Sequence, residues 1–284
     1  MNLLKCLLTA NDCWKTGQYI TPRGVMVHST GANNPTLKRY VQPLEGSADY
    51  DRLTGLLGYN RNANDWNRSG TNACVHAFVG RLADGSVATV QTLPWNMRGW
   101  HAGNGTTRPS ANNSHISFEI CEDGLEDGEY FHQVYREAVE LTAMLCQLYN
   151  LDPLAPEVVI CHSEGYRLGM ASGHADVEHW FPRFGRTMDD FRAEVAAELE
   201  DETMTQDKFD EMMENYLSRR ARQPASGWSA SGRAWAEQAG LVQGVGDLDG
   251  DGETDFSYKS FCTREELVTI LDRLERKGAG ADAS

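Results

Sequence analysis

The sequence predicts an α/β fold in which a mixed central β-sheet is flanked by helices, followed by a small, mainly helical C-terminal module. Short apolar runs rich in β-branched residues recur through the first half and predict strands. Segments with apolar residues at helical spacing lie between and after these runs. Because strands and helices interleave without strict alternation, we expect a mixed sheet covered by helices. After about residue 200 the sequence becomes more charged, which predicts a separate module.

Five segments are predicted as strands. The first ends at His28 and the last ends at His162. The second and third flank an Asp84-Gly85 dipeptide, which is a typical hairpin turn. The fourth alternates apolar with polar residues, as a strand with two different faces does. The predicted strands are residues 24–27, 75–79, 87–90, 115–121 and 157–161.

Two helices are predicted around the sheet. The first has one apolar face formed by Val134, Ala138, Leu141, Leu145 and Leu148. The second spans about residues 189–199 and directs Phe191, Val195 and Ala196 inward. We therefore expect a catalytic domain over residues 1–200, a helical linker over 201–226 and a C-terminal module over 227–284.

Composition excludes several classes of partner. The chain has 26 Lys and Arg against 41 Asp and Glu, a formal charge of −15, which argues against binding a nucleic-acid backbone or a polybasic membrane tether. No apolar run approaches the roughly 18 residues that span a bilayer, and we expect no membrane insertion. Lys5 interrupts the apolar N-terminus, so we expect no signal peptide. Seven cysteines without a CxxC motif favour a reducing cytoplasm as the place of synthesis.

The two histidines that follow strands are candidate metal ligands. In open α/β sheets, ligands bind at the carboxyl ends of strands, where His28 and His162 are predicted to lie. Either histidine alone is more often an ordinary buried side chain. A Gly-rich loop after His162 brings His174 and Asp176 back toward the strand ends. Two imidazoles and one carboxylate, with one coordination position open, are typical of catalytic zinc.

Glu119 is the candidate general base. It lies inside an apolar strand segment, where an ionisable acid costs free energy unless it has a partner or a function. The alternative is an outward-facing strand residue.

A thiol hydrolase is a second alternative, since Cys161 adjoins His162 and Cys74 is two residues from His76. Adjacent side chains on a strand point to opposite faces, which disfavours this pairing of Cys161 with His162.

Four short motifs follow one another along the chain: Val-His-Ser-Thr at 27–30, Trp-His-Ala-Gly at 100–103, Ile-Ser-Phe-Glu at 116–119 and Cys-His-Ser-Glu at 161–164. In this order and spacing they resemble the zinc-dependent N-acetylmuramoyl-L-alanine amidases of the type 2 class, which share the fold of peptidoglycan recognition proteins. The resemblance covers roughly residues 20–185. Within that class, the chain is most similar to phage endolysins and prophage amidases of Gram-positive bacteria.

The resemblance implies roles for individual residues. His28 and His162 correspond to the zinc histidines, Asp176 to the third ligand and Glu119 to the catalytic acid. His174 stands where many members have a lysine that stabilises the oxyanion, which leaves open whether His174 or Asp176 binds the metal. The substrate-binding residues that we expect on the same basis are His101, His76, Trp100 and Asn33.

The resemblance also implies a function. The family hydrolyses the amide bond between the lactyl group of N-acetylmuramic acid and the L-alanine of the peptidoglycan stem peptide. The alternative from another class is a module that recognises peptidoglycan without cutting it. An endolysin made without a signal peptide would reach the cell wall after holin-mediated release or lysis.

An acidic loop in the C-terminal module partly matches a calcium-binding loop. Tyr258 occupies the position where an EF-hand needs a bidentate glutamate, and a solvated acidic turn is the alternative. The surrounding segments resemble wall-binding modules found behind similar amidases, and self-association is the other expectation for this module. The candidate calcium ligands are Asp247, Asp249, Asp251 and Asp255.

Overall fold

The computed structural model describes residues 1–202, 206–246 and 256–281. The chain divides into two compact units, Met1–Thr203 and Met204–Ser284. The first unit has the predicted mixed sheet flanked by helices, and the second is mainly helical in its described part. No helix in the described ranges is long and apolar enough to cross a membrane.

A six-stranded sheet organises the first unit. The strands are β1 (Leu3–Lys5), β2 (Gly24–Ser29), β3 (Ala77–Arg81), β4 (Val87–Gln91), β5 (His115–Ile120) and β6 (Val159–Cys161). Their order across the sheet is β1-β4-β3-β5-β2-β6. The hairpin strands β3 and β4 are antiparallel, and all other neighbours are parallel. The carboxyl ends of β2, β5 and β6 therefore meet at one edge of the sheet.

Five helices belong to the first unit, and three helices belong to the described part of the second unit. They are α1 (Asp12–Thr16), α2 (Tyr50–Leu57), α3 (Gly128–Tyr149), α4 (His162–Arg167), α5 (Met188–Glu202), α6 (Gln206–Ala221), α7 (Ala230–Gln238) and α8 (Arg264–Ala281). Four 3₁₀ turns of the first unit are Leu37–Arg39, Ala111–Asn113, Asp176–His179 and Phe181–Phe184.

The two faces of the sheet have different environments. Successive side chains of a strand point to opposite faces. In β2, Val25 and Val27 join the large apolar cluster made with α3 and α5, whereas Met26 packs in a separate cluster. His28 follows Met26 on the second face, away from the long helices. Polar side chains of β2 and β5 such as His28 therefore lie on the face of the sheet away from the long helices.

The long helix α3 has both ends fixed. The Asp127 carboxylate accepts a hydrogen bond from the Tyr130 backbone N–H at 3.0 Å, which satisfies one of the free donors of the first turn. Asn150 ends the helix in the left-handed conformation, with φ of 51°. The predicted apolar face is buried at Val134 and Leu145, but Leu148, in the last turn of the helix, is 58% exposed.

Part of the fold was not predicted. Strand β1 pairs with β4 at the sheet edge, and α2 packs Leu53 and Leu57 into the second apolar cluster. Both elements are short, and neither has enough apolar residues to show a period.

In the second unit, Thr263 caps α8: its hydroxyl accepts from the Glu266 N–H at 3.2 Å, and the Glu266 carboxylate accepts from the Thr263 N–H at 2.7 Å. The candidate calcium ligands at 247, 249, 251 and 255 lie outside the described residues.

Candidate active site

Strand register places three candidate residues together. In the parallel pair β2–β5, His28 lies directly opposite Glu119. In the parallel pair β2–β6, Val27 lies opposite Cys161, so that His162 follows at the same level as His28. Residues 28, 119 and 162 are far apart in the sequence, yet all three reach the carboxyl edge of the sheet. The argument from strand ends predicted this meeting for the two histidines.

A helix start holds His162 in place. Helix α4 begins at His162, directly after β6. The Glu164 carboxylate accepts a hydrogen bond from the Cys161 N–H at 3.0 Å and receives both terminal nitrogens of Arg192 at 3.1 Å. The strand-to-helix junction is therefore anchored from both the strand and helix α5, which fixes the direction of the His162 side chain.

Asp176 is the third member of the cluster. It opens the 3₁₀ turn Asp176–His179 and has a positive φ of 45°, a conformation that few residues other than glycine adopt. Its Oδ2 lies 2.9 Å from His162 Nδ1 and 3.4 Å from His28 Nδ1. A strained backbone at a position that joins two other candidate residues is typical of functional sites.

The geometry and chemistry of this cluster fit a divalent metal. His28 Nδ1 and His162 Nδ1 face each other at 3.1 Å, and the ligand atoms of the three residues all lie within 4.8 Å of one another. Imidazole nitrogens and carboxylate oxygens are common zinc ligands. Two lone pairs and a carboxylate oxygen at such short separations repel one another unless a cation or a proton lies between them.

The electrostatics of the cluster also suit metal binding. Burial lowers the pKa of His28. Burial alone would raise the pKa of Asp176, but the adjacent imidazoles of His162 and His28 hold it below its usual range. At neutral pH the cluster thus contains an ionised carboxylate and a neutral His28, and metal binding requires these deprotonated forms.

Glu119 presents a different kind of carboxyl group. The residue is half-buried, but its Oε2 atom is fully buried and has no hydrogen-bond partner in the described part of the chain. Burial raises its pKa well above the usual value, and the negative charges of Asp176 and Glu122 raise it further. Its affinity for a proton is therefore greater than that of an ordinary glutamate.

These residues line one cavity of about 390 Å³. The predicted residues in its wall are His28, Trp100, His101, Glu119, His162, His174 and Asp176. The wall also includes residues that were not predicted: Ser29, Thr30, Gly31, Trp66, Ala73, Val75, Ala175 and His179. A cavity of this volume with convergent polar groups is typical of a small-molecule or peptide binding site.

The sequence profile of the N-acetylmuramoyl-L-alanine amidase family matches residues 18–189, which contain the whole cluster. The chain belongs to this family. The match spans more than half of the chain and ends inside α5, within the first unit.

Solved structures that are similar to this chain include a hydrolase and an endolysin. The Staphylococcus aureus hydrolase AmiA in complex with its ligand is 18% identical over 70% of this chain and 83% of that chain, with a TM-score of 0.49. A mutant endolysin from Bacillus subtilis is 22% identical over 69% of this chain and 99% of that chain, with a TM-score of 0.45. The comparison with curated protein sequences gave no match.

The remaining predicted residues of this amidase-family chain lie at different distances from the cluster of His28, His162 and Asp176. The His174 ring lies 4.7 Å from the His162 ring, centroid to centroid, and is exposed. His101 contacts His28, with His101 Nδ1 at 3.1 Å from His28 Nε2. Asn33 is exposed and is not among the residues that line the cavity.

His76 requires a correction, because it is a core residue. It is fully buried; its Nε2–H donates to the Met97 carbonyl at 2.7 Å and its Nδ1 accepts the Ser117 N–H at 3.0 Å. Burial lowers its pKa to about 4. With both nitrogens bound inside the core, this imidazole is not available to a substrate, and its role is structural.

One pair at the cavity was missed by sequence reasoning. His179 Nε2 lies 3.1 Å from the carboxylate of Glu122, a buried residue just after β5. The sequence offered one signal, a second acid three residues after Glu119. Glu122 directly follows the predicted strand 115–121, but the search at strand ends considered histidines and not acids.

Proposed function

We propose that the protein is a zinc-dependent peptidoglycan hydrolase that cleaves the amide bond between the lactyl group of N-acetylmuramic acid and the L-alanine of the stem peptide. The single observation that carries the proposal is the convergence of His28, His162 and Asp176 beside Glu119 in one cavity. Membership of the amidase family supports the bond specificity.

His28 Nδ1, His162 Nδ1 and Asp176 would hold the zinc ion. When bound, zinc supplies Lewis acidity that polarises the scissile carbonyl and brings the pKa of water toward 7. Asp176 is favoured over His174 as the third ligand because its oxygen lies within 3.4 Å of both Nδ1 atoms, whereas the His174 side chain is exposed. One carboxylate also offsets part of the charge of the ion.

Glu119 would move the proton. Its buried Oε2 has no competing hydrogen-bond partner in the described residues, and its raised pKa brings proton affinity closer to neutral pH. A general base works best when its pKa approaches the working pH. Glu119 would accept a proton from the attacking water and then transfer it to the amine of the departing L-alanine.

His174 would stabilise the tetrahedral oxyanion. It lies on the open side of the cavity beside His162, where an N–H group can reach a substrate oxygen. The cavity wall includes neither lysine nor arginine among the described residues, so an imidazole N–H such as that of His174 is the donor that an oxyanion could use. Trp100, at the same wall, would provide an apolar surface for the sugar or peptide.

The thiol alternative lacks support from the geometry. Cys161 Sγ lies 3.2 Å from Ser163 Oγ, and burial raises the pKa of Cys161 to about 11. A buried thiol with a raised pKa is a poor nucleophile.

We extend the proposal to the setting of the enzyme. On the resemblance of its motifs, the chain would be a phage endolysin or prophage amidase of a Gram-positive bacterium that reaches the wall after holin-mediated release. The second unit would retain the enzyme at the cell wall, with self-association as the other possible role.

The test is release of stem peptides from purified peptidoglycan. We expect new amino termini of L-alanine to accumulate with the zinc-loaded wild type and not with Glu119→Gln, while both bind the polymer. Binding without release by both proteins would replace the hydrolase with a recognition module. Release of new reducing sugar ends instead would show cleavage of a glycosidic bond and contradict the proposed bond specificity.

A further inference from the structure

Each candidate zinc histidine has one ring nitrogen, Nε2, that does not face the metal site. The contacts of both Nε2 atoms lead to the same short segment. His28 Nε2 lies 3.1 Å from His101 Nδ1. His162 Nε2 lies 3.3 Å from Ser172 Oγ, and that hydroxyl lies 3.4 Å from the Ala102 carbonyl oxygen. His28 lies in β2 and His162 begins α4, yet the contacts of both lead to residues 101–102.

This segment is itself held rigidly. The Oδ1 atom of Asn112, a fully buried residue, accepts the His101 N–H at 2.8 Å and the Ala102 N–H at 2.9 Å. Asn112 Nδ2 donates to the Gly103 carbonyl at 2.8 Å, and the Ser172 N–H donates to the Ala102 carbonyl at 2.9 Å. One buried amide therefore fixes three consecutive residues.

Glycine is needed at position 103 for two reasons. Its φ is +63°, a conformation that side chains other than glycine rarely adopt. A Cβ atom there would lie 2.8 Å from Ser172 Oγ and would push that hydroxyl away. The backbone is thus shaped to admit the serine that contacts His162.

We propose that His101, Ala102 and Gly103 act together with Ser172 as a positioning device that fixes the metal-binding tautomer of both His28 and His162. The inference rests on the zinc site of the proposed function. For Nδ1 of His28 to offer a lone pair to the metal, its proton must be on Nε2, where His101 Nδ1 accepts it. For His162, the Nε2 proton goes to Ser172 Oγ, whose own proton goes to the Ala102 carbonyl.

This chain of donors and acceptors leaves both Nδ1 atoms free for the metal only in this direction. If His101 donated to His28 instead, a neutral His28 would carry its proton on Nδ1, which faces His162 and Asp176. That proton would occupy the position that the metal needs. Partners that fix the rear nitrogen of ligating histidines typically change metal affinity 10- to 100-fold when they are removed.

The experiment measures zinc dissociation constants of the full chain by competition with a coloured chelator. We expect His101→Ala to bind zinc about 10- to 100-fold more weakly than the wild type. His101→Asn places an oxygen acceptor near the position of Nδ1, so it should recover most of the affinity. His132→Ala, which changes an exposed histidine on α3, is the matched control and should bind as the wild type does.

Two further variants keep the outcomes distinct. Ser172→Ala removes the partner of His162 and should weaken zinc binding even if His101→Ala does not fold. Wild-type affinity in folded His101→Ala, or in Ser172→Ala if His101→Ala does not fold, would overturn the positioning role. His28→Ala tests the site itself: if it binds zinc as the wild type does, the proposed zinc site is wrong. If it loses zinc while His101→Ala does not, only the present inference fails.

Discussion

The parallel pair β2–β5 has a buried histidine at each of its two ends, and the two histidines have different hydrogen-bond partners. At the amino end of β5, His115 Nε2 donates to the Glu157 carbonyl at 2.9 Å, and its Nδ1 lies 2.9 Å from the Ser114 hydroxyl. At the carboxyl end of β2, His28 directs Nδ1 toward another imidazole and a carboxylate. Both histidines are buried, and burial lowers the pKa of each.

The difference between the two ends lies in the partners. Each ring nitrogen of His115 has a hydrogen-bond partner, and the ring lies so close to Gly24 that a Cβ there would be 2.7 Å from it. His115 is therefore a packed core residue. At the other end, three ligand atoms converge without a donor for each of them. Burial alone therefore does not mark a functional histidine, whereas convergence of lone pairs does.

The largest effect expected from this comparison is on zinc content. His28→Ala and Asp176→Ala should each lose the bound zinc and fall to background amidase activity, because each removes one of three ligands. His115→Gln, the control at the other end of the sheet, should keep one zinc per chain. Metal analysis of the purified variants checks this. Retention of zinc by Asp176→Ala would point to His174 as the third ligand.

The next effect concerns Glu119. Glu119→Gln should lower the hydrolysis rate by about 10²- to 10⁴-fold while zinc binding stays, since it removes proton transfer and not a ligand. Rates on purified peptidoglycan, together with zinc content, measure both. An active Glu119→Gln variant would assign the proton transfer to another group.

The same substitution has a predicted effect on stability. The folded state raises the pKa of Glu119, so it binds a proton that the unfolded chain has already lost. Glu119 therefore reduces the stability of the metal-free protein as the pH rises above the unfolded pKa. Glu119→Gln should unfold at a higher temperature than the wild type at pH 7 in the presence of a chelator, with the difference shrinking toward pH 4. Equal unfolding temperatures at pH 7 would contradict the buried position of this carboxyl group.

A smaller effect is expected in the core. Burial lowers the pKa of His76 to about 4, so the unfolded chain binds a proton there at a higher pH than the folded state. His76 should make the protein lose about 3 kcal/mol of stability as the pH falls from about 6.5 to about 4. His76→Gln should show a shallower loss in denaturant titrations at these pH values. Its zinc content should be unchanged, and reduced zinc binding would place His76 in the site.

The sequence was informative where one residue marked the end of a strand. The apolar runs before His28 and His162 predicted both the strands and the edge at which the two side chains meet. Asp176 was identified through a resemblance, because nothing in the spacing of a Gly-rich loop indicates which of its polar residues turns inward. Its positive φ is a property of the folded loop.

Other features depended on contacts that a sequence does not display. His76 and His101 are both near strand β3 and the cavity, and only the partners of their ring nitrogens separate a core residue from a neighbour of His28. Strand β1 is defined by its pairing with β4, since three residues are too few to show an alternation. The pairing of Glu122 with His179 likewise depends on the path of the loop after Asp176.

An anomalous difference map from crystals grown with zinc, recorded on both sides of the zinc absorption edge, would locate the metal directly. We expect one strong peak at about 2.0–2.2 Å from His28 Nδ1, His162 Nδ1 and an oxygen of Asp176. A peak elsewhere, or a zinc ion bound without His28 and His162, would contradict this expectation.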